Sequence, residues 1–312
     1  MTQKRPIGTS GLEVAPLALG GNVFGWTADE ETSFSILDAF VDAGGTMIDT
    51  ADVYTAWIPG HSGGESETVI GKWLKRDPSR RDKVVIATKV GFLEGLAPDK
   101  IAAACDASLA RLGIDRIDLY YQHKDDEAVP LADSLGALER LVEAGKIRAI
   151  GLSQFTAERL DEALETSRSL GFTAPAALQP WYNLVEREKY EDALRDVAAR
   201  NGLAVFPFYG LANGFLTGKY RTKEDLGKSV RGMRNVEYLE GRGMRVLAAL
   251  DEIAAETGAA LATVTLAWTM AQPTITAPIA SATSMPQLAE LLAAFQLTLT
   301  PDQIARLDAA SA

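Results

Sequence analysis

The chain has 312 residues, of which 47 % are apolar, so it can bury a large core without metal ions or disulfides. Its single cysteine, Cys105, excludes an internal disulfide framework, and two histidines, His61 and His123, leave no His/Cys cluster for zinc or iron. The net charge of −11 argues against a nucleic-acid partner, because phosphate binding needs clustered cations.

The sequence also indicates where the protein resides. The first residues, MTQKRPIGTSGLE, lack the apolar core of a signal peptide. The longest apolar stretch, 258–271, is interrupted by threonines and is too short to span a bilayer. We therefore expect a soluble, cytoplasmic protein without a membrane partner.

Short apolar runs alternate with longer amphipathic ones along the chain. Several of the short runs are almost continuously apolar, as expected for parallel strands covered on both faces. The eight predicted strands are 14–22, 46–52, 84–90, 116–122, 147–153, 176–182, 203–209 and 275–281.

Helical periodicity fills the gaps between these strands. Two of the predicted helical faces are Ile101, Cys105, Leu109 and Leu112, and Leu131, Leu135, Leu138 and Leu141. Gly145 is a candidate C-cap, and glycines 44, 45 and 202 stop helices just before strands.

Eight strand–helix alternations predict a parallel α/β fold, and a (β/α)8 TIM barrel in a single domain, 1–312, is favoured. The alternative is an open doubly wound sheet, which usually carries a GxGxxG turn after its first strand. LGGNVFG does not match that turn. The longest irregular stretch, roughly 210–240, follows the seventh strand, and a loop of that length is usually functional.

Polar residues recur where the apolar strands end. Asp49, Lys89, His123, Ser153-Gln154 and Gln179 each stand near the end of a predicted strand. In a barrel these C-terminal ends form the active-site face. Each position alone has a structural explanation, but their recurrence at successive strand ends favours an active site.

Tyr54 follows Asp49 by five residues, in the loop after the second strand. A phenol has a reference pKa near ~10, so it donates a proton near neutrality only where a cation stabilises the phenolate. Lys89 can supply that cation, Asp49 can hold the ammonium, and His123 can bind the substrate oxygen or relay the proton. This set suits protonation of an oxygen that becomes an alkoxide, and the absence of a GxSxG elbow argues against acyl transfer.

Five segments in this order closely resemble the aldo-keto reductase superfamily: IDTADVY (48–54), IATKVG (86–91), DLYYQH (118–123), GLSQF (151–155) and NGFLTGKY (213–220). The resemblance covers nearly the whole chain and is nearest to the bacterial branch related to the β subunits of voltage-gated potassium channels. It implies NADPH-dependent reduction of a small-molecule aldehyde or ketone to an alcohol. The residues that match the catalytic tetrad of the family are Asp49, Tyr54, Lys89 and His123.

The resemblance also implies which residues bind the cofactor. Near the nicotinamide these are Ser153, Gln154, Gln179 and Phe208, with Gln154 replacing a frequent asparagine and Phe208 the usual tyrosine or tryptophan. Along the pyrophosphate they are Leu211, Asn213 and Lys219, and the preceding Tyr209 and Gly210 also belong to the implied cofactor site. At the adenosine end they are Ser281, Thr283, Gln287 and Glu290, and Leu291 replaces a frequent asparagine.

The choice between NADP(H) and NAD(H) depends on a 2′-phosphate, which needs cations or several hydrogen-bond donors. Gln287 stands where the family often has arginine, so the adenosine segment alone could bind a phosphate or a bare ribose. The loop that carries Lys219, Lys228 and Arg231 favours NADP(H), because Arg231 resembles an arginine that folds over the adenosine end in related proteins. A solvated basic loop is the alternative.

Three aromatic residues in the loops after the first three strands, Trp26, Trp57 and Phe92, are candidates for the wall of an apolar substrate pocket. Alternatively, Trp57 packs within its own Gly-rich loop, IPGHSGGE. We expect His61 in that loop to be solvated and Cys105 to lie in the core.

Two other functions compete with carbonyl reduction. One is a nicotinamide-binding regulatory subunit, as in the channel-associated relatives. The other is a barrel lyase or aldolase that uses Lys89 as a Schiff-base amine, although this function leaves Tyr54 and Asp49 unexplained. The sequence does not indicate the substrate or the oligomeric state.

Overall fold

The computed structural model describes residues 3–312, so the first two residues of the predicted domain lie outside the described residues. The described chain opens with a small antiparallel hairpin, β1 (Arg5–Pro6) and β2 (Glu13–Val14). Eight further strands form one parallel sheet in the order β10-β3-β4-β5-β6-β7-β8-β9. Their bounds are β3 (Ala18–Gly20), β4 (Met47–Asp49), β5 (Val85–Val90), β6 (Ile117–Gln122), β7 (Ile147–Ser153), β8 (Ala177–Gln179), β9 (Ala204–Val205) and β10 (Ile279–Ala280).

The sheet curls so that its first and last strands meet. Thr276 N donates to Val205 O at 2.9 Å, and Ile279 N donates to Pro207 O at 2.8 Å. These bonds join the chain around β10 to the chain around β9. The predicted (β/α)8 barrel is therefore confirmed, and the C-terminal ends of its strands share one face.

Ten α-helices of the described chain surround the sheet. They are α1 (Glu30–Asp42), α2 (Glu65–Arg76), α3 (Pro98–Leu112), α4 (Leu131–Glu143), α5 (Ala157–Leu170), α6 (Ala193–Arg200), α7 (Arg242–Thr257), α8 (Leu261–Ala271), α9 (Met285–Ala293) and α10 (Pro301–Ser311). The predicted apolar faces are confirmed in α3 and α4, where every member except the half-buried Leu109 is buried. Gly145 has φ 71° just beyond the end of α4, a conformation that glycine adopts without strain. None of the helices between residues 3 and 312 is long and apolar enough to cross a bilayer.

All eight predicted strands exist, but only β7 has the predicted bounds, and five strands (β3, β4, β8, β9 and β10) are shorter than predicted by four residues or more. The interval 14–22 contains the end of the hairpin and then β3, because Pro16 offers no N–H and Ala15 N donates instead to Thr46 Oγ1 at 2.7 Å. The strands β8, β9 and β10 are cut to two or three residues beside Pro180, Pro207 and Pro278, which also cannot donate to a ladder.

The hairpin closes the N-terminal end of the barrel. Its apolar residues Ile7, Leu12 and Val14 are buried and cluster with inward-facing strand residues such as Leu119 and Tyr121. Arg5 fixes it in place through bonds to the carbonyl oxygens of residues 270, 275 and 276. The opposite end of the barrel carries the long connections.

The stretch 210–240 after β9 contains neither strand nor α-helix, as predicted, but it is ordered into three short 3₁₀ helices. They span Ala212–Thr217, Lys223–Lys228 and Gly232–Leu239. Thr222 and Asp225 form a capping box at the second one, and Tyr220 Oη lies 2.5 Å from Ser229 Oγ. These local bonds give a conformation to a segment whose sequence lacks a helical or strand period.

Candidate active site

Lys89 is the centre of a buried polar network at the C-terminal end of the barrel. Its side chain is fully buried, and Nζ donates to Asp49 Oδ2 at 2.6 Å, to Thr50 O at 2.7 Å and to Tyr54 Oη at 3.2 Å. Although burial alone would lower the pKa of Lys89, the Asp49 carboxylate and the Tyr54 hydroxyl raise it above its usual value. The ammonium therefore remains charged across the physiological range.

Asp49, the last residue of β4, is held from both sides. Its second oxygen, Oδ1, accepts from Gln179 Nε2 at 2.9 Å, so both carboxylate oxygens have partners. Burial raises the pKa of Asp49, and the bonds from Lys89 and Gln179 oppose that rise. The structure thus joins three predicted site residues, from β4, β5 and β8, into one network.

Tyr54 lies above this network in the turn after β4. Besides the bond to its hydroxyl, Lys89 Nζ lies 4.8 Å from the centroid of the Tyr54 ring. Burial raises the pKa of Tyr54, and the neighbouring ammonium lowers it without cancelling the rise. The phenol therefore holds its proton at neutral pH, and Lys89 acts on it in the direction that the sequence predicts.

His123 follows β6 and faces Tyr54, with the two ring centroids 5.8 Å apart. Burial, followed by the charges of Lys89 and Lys124, lowers the pKa of His123 well below its usual value. The imidazole is therefore neutral near pH 7, and its Nδ1 has no hydrogen-bond partner in the described chain. A neutral imidazole at this position can donate a hydrogen bond to a substrate oxygen.

The residues predicted near the nicotinamide lie beside the same network. Ser153 Oγ donates to Gln179 O at 3.0 Å, and Gln154 Nε2 donates to His123 O at 2.9 Å. Phe208 lies among aromatic rings, 5.8 Å from Trp181 and 5.1 Å from Tyr209. The sequence analysis passed over Trp181, although it stands two residues after Gln179 in AALQPWY.

The predicted pyrophosphate segment turns sharply at Asn213. Asn213 and Gly214 both have positive φ, and Asn213 Oδ1 is buried without a partner among the described residues. Gly214 leaves room for Lys219, because a Cβ at 214 would lie 2.7 Å from Lys219 Nζ. Lys219 forms no ion pair within residues 3–312, whereas Lys228 pairs with Asp225 at 2.7 Å. The backbone turn and the Lys219 ammonium fit a bound phosphate group.

The predicted adenosine segment comprises the connection from β10 to α9, with Ser281 and Thr283, and the α9 residues Gln287 and Glu290. Ser281 Oγ donates to Asn22 Oδ1 at 2.8 Å, and Gln287 Oε1 accepts from the amide and the hydroxyl of Thr283 at 2.9 and 3.1 Å. Glu290 is exposed and lies on α9, so its carboxylate is available to solvent. Thr283 and Gln287 stand at the N-terminal end of α9, where free backbone N–H groups favour an anion.

The predicted substrate-pocket residues form an aromatic group around Tyr54. Trp57 lies 5.7 Å from Tyr54 and 5.8 Å from Trp26, and Phe92 lies 4.9 Å from His123. Arg231 reaches this group, with its guanidinium carbon 5.1 Å from the Trp26 ring.

The loop around Trp57 contradicts one expectation. His61 is half-buried instead of solvated, because its Nδ1 lies 2.7 Å from Thr55 Oγ1. Cys105 is fully buried, as expected, and burial raises the pKa of its thiol to about 12.

A second polar cluster outside the barrel escaped the sequence analysis. Glu67 on α2 is fully buried, accepts from Thr88 Oγ1 at 2.5 Å and pairs with Arg111 at 2.7 Å. Beside it, Asp52 has a buried Oδ1 without a partner in the described part of the chain. Burial, and then the Glu67 carboxylate, raise the pKa of Asp52 to about 7. The sequence feature that could have revealed this cluster is an acidic residue, Glu67, on the apolar face of α2.

Residues 3–312 contain no group of three or more His, Cys, Asp or Glu side chains placed to hold a metal ion. The polar side chains at the barrel mouth instead form a tyrosine, lysine, aspartate and histidine set. A parallel (β/α)8 barrel with polar side chains gathered at the C-terminal ends of its strands has the arrangement of a barrel enzyme, in which the active site lies at that face.

Comparison with known proteins identifies the family. The family described as "Aldo/keto reductase family" matches residues 16–312. The chain therefore belongs to the aldo/keto reductases and is an oxidoreductase, which confirms the resemblance inferred from the five segments.

Three relatives illustrate the range of the family. An uncharacterised oxidoreductase of Bacillus subtilis is 34 % identical over 94 % of this chain and 91 % of its own length. A probable voltage-gated potassium channel subunit beta of Oryza sativa is 30 % identical over 98 % of this chain and 96 % of its own. An L-glyceraldehyde 3-phosphate reductase of Escherichia coli K12 is 31 % identical over 98 % and 91 %.

Proposed function

We propose that the protein reduces an aldehyde or ketone with NADPH and that Tyr54 delivers the proton to the carbonyl oxygen. The observation that carries this proposal is the buried Lys89 ammonium, bonded at once to Asp49 and to the Tyr54 hydroxyl. Such a phenol is protonated at neutral pH, and a cation lies beside the oxygen on which charge develops when the proton leaves.

Each residue of the network has a separate task. A bound nicotinamide would supply the hydride, and the protein supplies the proton and the orientation. Because Nζ donates to Tyr54 Oη, the phenol proton is free to point toward a substrate oxygen. His123, which is neutral and whose ring faces that of Tyr54, would donate a second hydrogen bond to that oxygen through one of its ring nitrogens. Asp49 and the Thr50 carbonyl fix the position of the ammonium.

The preference for NADPH over NADH is part of the proposal. Ser281, Thr283 and Gln287 cluster at the N-terminal end of α9, where a 2′-phosphate would meet hydroxyl, amide and backbone donors. Lys219 supplies a cation that no carboxylate of the described chain neutralises. These groups suit a ligand with more negative charge than NADH.

The names of two relatives bear on the substrate and on the main alternative. The Escherichia coli relative is named as a reductase of an aldehyde, which makes aldehydes the first class to test. The plant relative is named as a channel subunit, and a regulatory role in this chain would couple cofactor binding to a partner without rapid turnover. Schiff-base chemistry is disfavoured, because a Lys89 amine that stays protonated in three hydrogen bonds is a poor nucleophile.

The test is NADPH oxidation, followed by absorbance, with a panel of neutral aldehydes and ketones and with NADH in parallel. We expect turnover with at least one aldehyde and a lower KM for NADPH than for NADH. Tight NADPH binding without turnover of any panel member would favour the regulatory alternative. Irreversible inactivation by borohydride only in the presence of a carbonyl would favour the Schiff base.

A further inference from the structure

Glu67, in the first turn of α2, is a fully buried carboxylate that the proposed mechanism does not use. Its Oε1 accepts a hydrogen bond from Thr88 Oγ1 at 2.5 Å. Its Oε2 accepts from Arg111 Nε and Nη2, both at 2.7 Å. A buried ion pair adds little net stability compared with apolar residues of similar volume, but it gives the groups that it joins a defined position.

Thr88, one of these groups, is the immediate neighbour of Lys89 on β5. Side chains alternate along a strand, so Thr88 faces α2 while Lys89 faces the interior of the barrel. The bond from Thr88 to Glu67 therefore holds the backbone one residue away from the ammonium. Asp52 N donates to Lys89 O at 3.2 Å, which joins the same part of β5 to the turn that carries Tyr54.

Ser66, the residue before Glu67, holds the other side of the network. Its Oγ accepts from Thr50 Oγ1 at 2.8 Å and donates to Gly21 O at 2.8 Å. Thr50 is the residue whose carbonyl accepts from Lys89 Nζ at 2.7 Å, and Ser66 N donates to Tyr54 O at 3.4 Å. The first turn of α2 thus contacts the segments that carry Lys89, its carbonyl acceptor and the proposed proton donor.

Arg111 fixes this turn of α2 against α3. Its Nη2 donates to Ser108 Oγ at 3.2 Å in addition to pairing with Glu67. Two glycines make the close approach of the helices possible, because a Cβ at Gly64 would overlap the stem of Arg111 and a Cβ at Gly71 would overlap its carbonyl oxygen. The carboxylate of Glu67 is therefore held from α3 while it holds Thr88.

A displacement of about 1 Å caused by a residue remote from the reacting atoms can lower a rate by about 10²-fold. We propose that Glu67 is a positioning residue, which holds Lys89 at the distance from Tyr54 that proton transfer requires, through Thr88 and with Arg111 as its counter-ion. Glu67 acts on the reaction only through Lys89. This inference rests on the proposed reductase function and concerns the same site.

Asp118 provides a matched control at the other end of the barrel. It is also a buried carboxylate, and it pairs with Arg81 at 2.8 Å and with Arg148 at 3.4 Å. It accepts from Ile86 N at 2.9 Å, so it contacts β5 three residues before Lys89. Asp118→Asn therefore removes a buried ion pair without changing a contact beside Lys89.

The experiment compares Glu67→Gln, which keeps an oxygen acceptor for Thr88, with Glu67→Leu, which removes both the acceptor and the charge. The double variant Glu67→Gln/Arg111→Met removes the pair without leaving an unpaired charge. The quantities measured are kcat, the KM for NADPH and the pH dependence of aldehyde reduction. The comparison is repeated in Asp52→Asn, because the Glu67 carboxylate contributes to raising the pKa of Asp52 to about 7.

We expect kcat to fall by about 10- to 100-fold in Glu67→Leu and by less in Glu67→Gln, with the KM for NADPH unchanged. The basic limb that belongs to Tyr54 should move upward in pH in Glu67→Leu and in the double variant, because a displaced ammonium lowers the pKa of Tyr54 less. Asp118→Asn should lose stability but keep both kcat and the basic limb.

Three results would overturn the inference. The first is an unchanged kcat and basic limb in a folded Glu67→Leu or double variant. The second is a change of equal size in Asp118→Asn, which would show that the loss of any buried pair disturbs the site. The third is a shift of the limb in Glu67→Gln that disappears in the double variant, because that outcome assigns the effect to the charge of Glu67 and not to the position of Lys89.

A titration without substrate keeps the inference testable if no aldehyde is turned over. NMR of ring-¹³C-labelled tyrosine, with the Tyr54 signal assigned from Tyr54→Phe, reports the pKa of Tyr54 directly. A higher pKa of Tyr54 in the double variant than in the wild type, with no change in Asp118→Asn, would support the positioning role even where the proposed reductase function fails. Turnover by the wild type, together with an unshifted Tyr54 in the folded double variant, would leave the reductase function standing and refute the positioning role.

Discussion

Replacing Lys89 by methionine tests whether the buried network is a coupled unit. The substitution keeps most of the side-chain volume but removes the donor to Asp49 at 2.6 Å, to the Thr50 carbonyl at 2.7 Å and to Tyr54 at 3.2 Å. Asp49 then keeps only Gln179 and becomes a buried carboxylate without a counter-ion. Breaking a buried pair in this way costs about 3–5 kcal/mol of the free energy of unfolding.

The matched variants are Asp49→Asn and the double variant Asp49→Asn/Lys89→Met. The double variant has no uncompensated charge, so we expect it to lose less stability than the sum of the two single losses, by about 0.5–3 kcal/mol. Urea unfolding of the wild type, the two single variants and the double variant measures this coupling. The dependence of the free energy of unfolding on urea concentration is compared among the four proteins to check that they unfold in the same way. A loss below about 1 kcal/mol in Lys89→Met, or strictly additive losses, would refute the network as described.

The same substitution changes the pH dependence of carbonyl reduction. Lys89 lowers the pKa of Tyr54, so its removal raises that pKa further. The basic limb of the rate profile should move upward in pH, and the rate near pH 7 should fall because the departing proton leaves an unsupported phenolate. An unchanged limb in a folded variant, with chemistry still rate-limiting, would show that Lys89 does not act through Tyr54.

Three further predictions concern single residues. Tyr54→Phe removes only the hydroxyl, so we expect turnover to fall by about 10²-fold or more while NADPH affinity, measured by fluorescence on the same preparation, is retained; near wild-type turnover would exclude Tyr54 as the acid. Asp52 has a folded-state pKa of about 7, above its unfolded value, so the stability it contributes is present at low pH and is lost as the pH rises through 7. The change in the free energy of unfolding caused by Asp52→Asn should therefore be more favourable at pH 8 than at pH 5, by about 2–4 kcal/mol. The exposed Asp42→Asn should show no such difference. Equal effects of Asp52→Asn at both pH values would contradict the burial of Asp52. Lys219→Met should weaken NADPH binding by about 10-fold, and Lys228→Met, which breaks only an ion pair with Asp225, by much less; equal losses would remove Lys219 from the phosphate site.

The barrel and its four candidate catalytic residues could be predicted from sequence because their signals are local. The apolar runs that become β5 and β6 are fully buried strands, and Lys89 and His123 stand at their ends. Pro207 and Pro278 also indicate that the later strands are short, because proline cannot donate to a strand ladder. The apolar residues around these prolines nevertheless led to predicted strands that run across them.

Other features depend on contacts between residues far apart in the chain. The position of Arg231 over Trp26 joins loops that follow different strands, and no local pattern specifies it. The buried Glu67 stands on α2, and its partner Arg111 lies 44 positions later on α3. The sequence shows two charged residues there, and only the packing of the helices makes them a pair.

The Arg5 contacts have a consequence for synthesis of the chain. Its three acceptors belong to residues 270, 275 and 276, which leave the ribosome long after the hairpin does. Until then Ile7 and Leu12 have only part of the barrel to cover them, so the nascent chain carries an apolar surface through most of its translation. The bonds of Arg5 can therefore form only late in synthesis, and slowing translation before residue 270 should prolong the exposure of this surface to chaperones.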